Sequence, residues 1–279
     1  MKKILPVLVV VLFIMTGCST DYHYARSFIS KFERNKSDAT EQIYVCLPTS
    51  LIHTNSSLDE IAYLPYMPES WQDSVIASKT SILNRINDSI FISQFSNAFL
   101  FTLSRLRVPI VLVDNPADLP VADDNHFIVN FVQLEAEEFL QPSRSGFQTK
   151  KGVYYSYDYD LRHFATHVWM KLDAVDTSSS VYYKNDEIAD SFRGTVTSIK
   201  GDKATLKTDF ERINTNDAYR VARRLGSSCA ILYAEKILVE YVCRKKGTNG
   251  SYFYYNPGYN AIDAVLPYDE GIKDSFEKL

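Results

Sequence analysis

The clearest hydrophobic periodicity in the first half of the chain predicts a helix from Asp88 to Arg107. We expect Asp88 to act as its N-cap, accepting backbone N–H bonds, and Pro109 to end it. The apolar residues recur every three or four positions, which places them on one helical face. They are Phe91, Ile92, Phe95, Ala98, Phe99, Leu103 and Leu106.

A longer amphipathic segment predicts a second helix from Asn214 to about Arg244, with a kink expected at Gly226. Its apolar stripe comprises Ala218, Val221, Ala222, Leu225, Cys229, Leu232, Ile237 and Val239. Near the N-terminus, a short helix within residues 19–41 is predicted from the spacing of Ala25, Phe28, Ile29 and Phe32.

Short apolar runs and alternating stretches predict strands between the helices. We expect them at 42–47, 110–113, 127–139, 153–159, 166–175 and 181–192, with turns at Thr177–Ser180 and Lys200-Gly201-Asp202. Residues 49–75 contain Pro65 and Pro68 and predict a long irregular connection. The order of elements indicates an α+β fold: a mixed, mostly antiparallel sheet with two long amphipathic helices packed on one face.

The first residues have the pattern of a secretory signal. Lys2 and Lys3 precede an apolar stretch, Ile4–Met15, which as a helix would span only about 18 Å and is too short to cross a bilayer. Met15-Thr16-Gly17-Cys18 follows. This segment resembles the lipobox of bacterial lipoproteins, although Met15 stands where leucine is usual. A plain secretory peptide with an incidental Cys18 is the alternative.

The resemblance implies that Cys18 is lipidated and becomes the mature N-terminus. Two or three acyl chains hold a protein on a membrane almost permanently. Ser19 at the next position favours sorting to the outer membrane, with the body on its periplasmic face. The expected organisation is a signal peptide at 1–17, a lipid-anchored tether at 18–41, a single α+β domain at 42–246 and an aromatic-rich C-terminal extension at 247–279.

Composition and charge exclude some functions. With 46% hydrophobic and 23% charged residues the chain is typical of a globular protein, and its net charge of −4 becomes −6 without the two lysines of residues 1–17. A mildly acidic chain does not attract a phosphate backbone, so we expect no nucleic-acid partner. Phosphate-loop and dinucleotide-binding motifs are lacking, and we expect no cofactor.

Three cysteines remain after Cys18, in a compartment that permits disulfides. Cys229 and Cys243 would stand about 21 Å apart along one helix and cannot pair with each other. Cys46 could pair with either, but we favour buried free thiols.

Several groups of polar residues have residue types that can bind metals. His163 and His167 have the spacing of zinc ligands on a helix, but the flanking alternation favours a strand, and Phe164 stands where a zinc hydrolase needs glutamate. Asp158 and Asp160, and the run Asp123-Asp124-Asn125, lack the pattern of a calcium-binding loop and are interpreted as turn carboxylates. We expect no metal site.

The candidates for catalysis are equally weak. Glu135, Glu137 and Glu138 are interpreted as charges on a strand rather than a glycosidase pair. Ser227-Ser228-Cys229 lies inside a predicted helix, where a nucleophile is badly placed. We therefore assign no catalytic residue.

The chain contains 19 tyrosines, which form local clusters. Because tyrosine suits protein interfaces and stacks on sugars, the clusters predict an interaction surface, although compositional bias is an alternative explanation. The predicted interaction surface consists of Tyr154, Tyr155, Tyr157, Tyr159, Tyr182 and Tyr183.

The order of elements resembles that of envelope accessory lipoproteins such as the ABC-transporter auxiliary and curli-secretion-channel families. Our leading hypothesis is a membrane-anchored, non-enzymatic lipoprotein that binds another envelope protein in assembly or transport. One alternative is a lipid-anchored hydrolase of glycan or peptidoglycan that uses Asp158, Asp160, His163 or Glu135. Another is a carrier of a small ligand, held in a cleft between sheet and helices.

Overall fold

The computed structural model describes residues 23, 25–28, 41–56, 68, 81–123, 125–149, 152–174, 177–200, 203–246, 252–258, 261–266 and 277–278. Its two long helices are α1 (Asp88–Leu103) and α2 (Thr215–Lys246). The strands are β1 (Gln42–Cys46), β2 (Ile52–Asn55), β3 (Ile110–Leu112), β4 (His126–Gln148), β5 (Tyr154–Ala174), β6 (Thr177–Ala189), β7 (Ser191–Lys200), β8 (Lys203–Glu211), β9 (Tyr252–Asn256), β10 (Ala261–Leu266) and β11 (Glu277–Lys278).

The main sheet is mixed and has the strand order β11-β6-β5-β4-β1-β3, with β2 also paired to β4. Strands β3, β1 and β4 run parallel, as do β2 and β4. The longer ladders, from β4 through β5 and β6 to β11, are antiparallel. The α+β class predicted from the sequence is confirmed.

Both helices pack on one face of this sheet, as predicted. Strand β4 directs Phe127, Val129 and Phe131 toward them, and a bulge after Phe131 lets the next segment bury Leu134 and Ala136 on the same side. Phe131 receives the ring edges of Phe95 and Phe99 from α1. At about 25 cal/mol per Å² of apolar surface removed from water, burial of this layer favours folding.

Helix α2 is continuous through Gly226, which lies at its contact with α1. A Cβ atom at this position would overlap the carbonyl oxygen of Phe95. The residue is therefore glycine because the two backbones approach closely there.

Strands β4 and β5 form one long hairpin, from the pair Ile128 and Asp173 to the pair Gln148 and Tyr154. Strand β6 accompanies β5 only as far as His163, so residues 141–148 and 154–161 continue alone as a two-stranded ribbon. The prediction of two separate strands at 153–159 and 166–175 was wrong, because the polar residues between them also pair with β4.

Three further predictions of local structure were wrong. The side chain of Asn87, not Asp88, caps α1 by accepting the N–H of Ile90. Residues 177–180 belong to β6 instead of a turn. Strand β2 lies within the segment predicted as irregular, and its two exposed and two half-buried residues carry no apolar pattern, so only its pairing with β4 makes it a strand.

The chain on either side of this core is described in part. Residues 25–28 are helical, as predicted, and Ala25 and Phe28 are buried, with the Phe28 ring against Phe127 and Tyr241. Strands β9 and β10 form a hairpin. Cys18 and its lipobox, Ile29 and Phe32 lie outside the described residues. Within the described parts, no helix combines the length and apolar character needed to cross a bilayer.

Candidate binding surfaces

Two ribbons project from the core, and together we call them the arm. The first consists of residues 141–148 and 154–161, and the second is the hairpin of β7 and β8. They meet at their base, where the N–H of Asp190 donates to the carbonyl of Arg162 at 2.8 Å. None of the described side chains in these ribbons is buried.

An aromatic layer joins the two ribbons. Alternation along β5 turns Tyr157 and Tyr159 toward the second ribbon, where the Phe192 ring stacks on Tyr159 at 4.2 Å between centroids and lies 5.5 Å from Tyr157. Phe192 also contacts Phe210 of β8 at 4.8 Å. These rings therefore hold the arm together while remaining partly exposed to solvent.

The ends of the ribbons carry exposed apolar side chains. Tyr154 is 65% exposed, and Val153 beside it and Ile199 in the other ribbon are about half exposed. Phe147 stacks on Tyr155 at 5.1 Å. The arm thus has aromatic and aliphatic side chains that its own packing leaves exposed to solvent.

The structure does not bring all six predicted tyrosines together. Tyr154, Tyr155, Tyr157 and Tyr159 lie on the arm, but Tyr182 packs against the core under the ammonium group of Lys236, 5.1 Å from the ring centroid. Tyr183 points to the opposite face of the sheet, because successive strand residues face opposite sides.

The face of the sheet opposite the helices, here called the outer face, carries a chain of polar contacts. His167 Nδ1 lies 2.6 Å from the Tyr183 hydroxyl, and its Nε2 lies 2.9 Å from Glu137 Oε2. The Ser56 hydroxyl donates to the other oxygen of Glu137. Glu135 beside them accepts from Thr54 and Gln133.

This arrangement does not have the order of a serine hydrolase site, in which imidazole contacts the nucleophilic hydroxyl directly. Here the Glu137 carboxylate stands between Ser56 and His167.

His163, on the same face, contacts Glu187 and stacks on Phe139 at 4.9 Å between centroids. Both histidines lie on a strand, as predicted. The hydrogen bonds of the outer-face network orient its members.

Two acid–base residues of the hydrolase hypothesis, Asp158 and Glu135, are far apart. Asp158 is on the arm, in a bidentate contact with Arg144, whose hydrogen bonds hold the pKa of Asp158 below its ordinary value. Glu135 lies opposite His167 in the register of β4 and β5. His167 is nine residues from Asp158 along β5, which corresponds to about 30 Å at the rise of a strand. Asp158 and Glu135 therefore cannot act on one bond.

The other candidate groups serve local structure. Asp123 Oδ1 accepts the backbone N–H groups of Asn125 and His126, and the first of these is the main cause of its lowered pKa. Asp124 is outside the described residues. Within the described parts, no group of three or more His, Cys, Asp or Glu side chains is placed to hold a metal ion.

Two of the three cysteines of the body are placed in the core. Cys46 and Cys229 are buried free thiols, and burial raises the pKa of both. Ser227 beside Cys229 accepts a hydrogen bond from Thr102 of α1. The side chain of Cys243 lies outside the described part.

Two buried carboxylates pair with arginines, and neither pairing was predicted: Glu138 was interpreted as a charge on a strand, and Asp190 was not identified. Glu138 is 1% exposed and lies 2.9 Å from Arg162 Nε, while Asp190 has a fully buried side chain 2.6 Å from Arg212 Nη1. The partners are 22 to 24 residues apart in the chain and belong to no motif. Only the fold brings them together.

Comparison with known proteins adds little to this picture. No protein-family model and no curated protein matches the chain. A crystal structure of a neuraminyllactose-binding hemagglutinin homolog from Helicobacter pylori aligns with 74% of this chain and 83% of its own, at 7% sequence identity and a TM-score of 0.27. At that TM-score the alignment carries no argument about function.

Proposed function

We propose that this chain is a bacterial envelope lipoprotein, anchored through Cys18, that acts as a non-enzymatic binding or assembly accessory protein. Its arm would bind another envelope protein on the periplasmic side of the outer membrane. The lipobox-like segment supports the placement. The observation that carries the binding role is the arm itself.

The arm has the properties of a recognition element. Among the described strands, none pairs with the outer edges of its ribbons, and such edges can accept a strand from a partner. Its ends expose Val153, Tyr154 and Ile199. Aromatic side chains with polar tips are enriched where proteins bind each other. A projecting element without a buried side chain contributes little to the core. This favours a role of the arm in contacting another molecule.

Site-specific photo-crosslinking tests the binding role. A photoreactive phenylalanine analogue replaces Tyr154 in the full-length protein expressed in its native cells, and the matched control replaces Phe101, which is 63% exposed on α1. We expect a discrete crosslinked envelope protein from position 154 and not from position 101. Identical products from both positions, or none from position 154, would refute a role of the arm in binding.

The membrane anchor is tested separately. Mass spectrometry of the mature N-terminal peptide should find acyl groups on Cys18, and Cys18→Ala should move the protein from the membrane fraction to the soluble periplasmic fraction. An unmodified N-terminus in a membrane-free protein would contradict the proposed placement.

A further inference from the structure

A cavity of about 270 Å³ lies at the N-terminal end of α2. It is bounded by the 3-10 turn Leu83–Arg85, by β5 and by the segment that joins β8 to α2. Its polar lining consists of Ser81, Arg85, Arg162, Arg212, Asn214 and Thr215. Among the described residues of this lining, three are arginines and none is a carboxylate.

Buried carboxylates behind the wall hold two of these arginines. Glu138 contacts Arg162 and also accepts the N–H groups of residues 81–83, while Asp190 contacts Arg212 and accepts the N–H of Ile213. Both carboxylates are buried and lie outside the cavity lining, and each places an opposite charge beside one guanidinium group. Orienting an arginine in advance lowers the entropic cost of binding a ligand.

The third arginine leaves the cavity with excess positive charge. Arg85 is exposed, and among the described residues no carboxylate lies within ion-pair distance of its guanidinium group. Three arginines against two buried carboxylates give a local charge of +1. In the first turn of α2, Asn214 accepts the N–H groups of Asn216 and Asp217. The carboxylate of Asp217 accepts from Asn214 and is paired with Arg220 at 2.9 Å, so this turn adds no net charge.

We infer that this cavity binds a phosphate-bearing anion. Guanidinium groups match the geometry of phosphate oxygens and can donate two hydrogen bonds to one phosphate. The volume is slightly below the usual range for small-molecule sites, about 300–1,000 Å³, and suits a phosphoryl group with a small substituent. A soluble phosphate ester and a phospholipid headgroup share this chemistry. The inference does not depend on the proposed function of the arm.

Isothermal titration calorimetry on the full-length protein in non-ionic detergent tests the inference. The probes are inorganic phosphate, glycerol 3-phosphate and a short-chain phosphatidylglycerol. Arg85→Ala should weaken binding about ten-fold or more, because a charge-assisted contact is lost, and added salt should weaken it further. The matched control is Arg105→Ala, which changes an arginine in another 3-10 turn, Ser104–Leu106, and should leave affinity unchanged.

Each outcome bears on the inference. Selective binding of glycerol 3-phosphate would identify a soluble ligand, selective binding of the phosphatidylglycerol would identify a headgroup, and either would support an anion site if Arg85→Ala weakens it. Failure of all three probes to bind at millimolar concentration would overturn the inference. Equal affinity of Arg85→Ala and the wild type would also overturn it, with circular dichroism showing that both are folded.

Discussion

Replacement of Glu138 by glutamine should destabilise the protein strongly although the side chain keeps its shape. The carboxylate of Glu138 is almost fully buried on the helix-facing side of β4. It accepts the backbone N–H groups of Ser81, Ile82 and Leu83 at 2.9 to 3.2 Å and contacts Arg162 at 2.9 Å. Glutamine supplies only one acceptor oxygen, and its amide N–H₂ would face donors.

The expected loss follows from these contacts. Removing one partner of a buried ion pair costs about 3–5 kcal/mol, because the remaining charge is left buried, and each orphaned backbone N–H adds to that cost. Against a total stability of about 5–15 kcal/mol this is a large fraction. For a chain of this size it corresponds to a melting temperature lower by about 10 °C.

Urea unfolding followed by far-ultraviolet circular dichroism measures the effect. The matched control is Glu187→Gln, whose side chain is 41% exposed and whose pairing with His163 should contribute less than about 1 kcal/mol. Hydrogen exchange should also accelerate at Ile82 and Leu83, since Glu138 holds their amides. A loss for Glu138→Gln no greater than that of the control would refute this account of the buried carboxylate.

Two further predictions concern the helices and the core. Gly226→Ala should lower the free energy of unfolding by about 1–2 kcal/mol in urea titrations, because overlap with the Phe95 carbonyl outweighs the better helix propensity of alanine. A more stable variant would contradict the close helix contact. Ser228→Ala is the control. Burial raises the pKa of Cys46 and Cys229, so iodoacetamide should label both far faster in urea than in the native protein, as read by mass spectrometry of their peptides. Since the unfolded thiols ionise first, the free energy of unfolding should fall as pH rises above their ordinary pKa of 9.0, and a rise would refute the burial argument.

The fold class could be predicted because the strongest patterns in the chain correspond to the largest buried faces. The aromatic repeat of Phe91, Phe95 and Phe99 and the stripe of α2 have the period of a helix, and each stripe is buried on the same side of the sheet. Local chemistry also placed the buried thiols Cys46 and Cys229 in the core.

The candidate binding surfaces could not be predicted in the same way, because pairing between distant segments creates them. Strand β2 has no periodicity of its own, and the polar continuation of β4 and β5 into the arm is stabilised by pairing across the hairpin. Strand register sends Tyr182 to the core and Tyr183 to the outer face, although they are neighbours in sequence.

The sequence by itself determined which segments are helical and which faces they bury, since amphipathic period is a local property that needs no partner. Only the tertiary structure decided where polar groups converge. Arg85, Arg162 and Arg212 are well separated in the chain and look like ordinary surface arginines. They line one cavity because the 3-10 turn, β5 and the start of α2 meet there, and because two buried carboxylates, one on β4 and one between β6 and β7, pair with two of them.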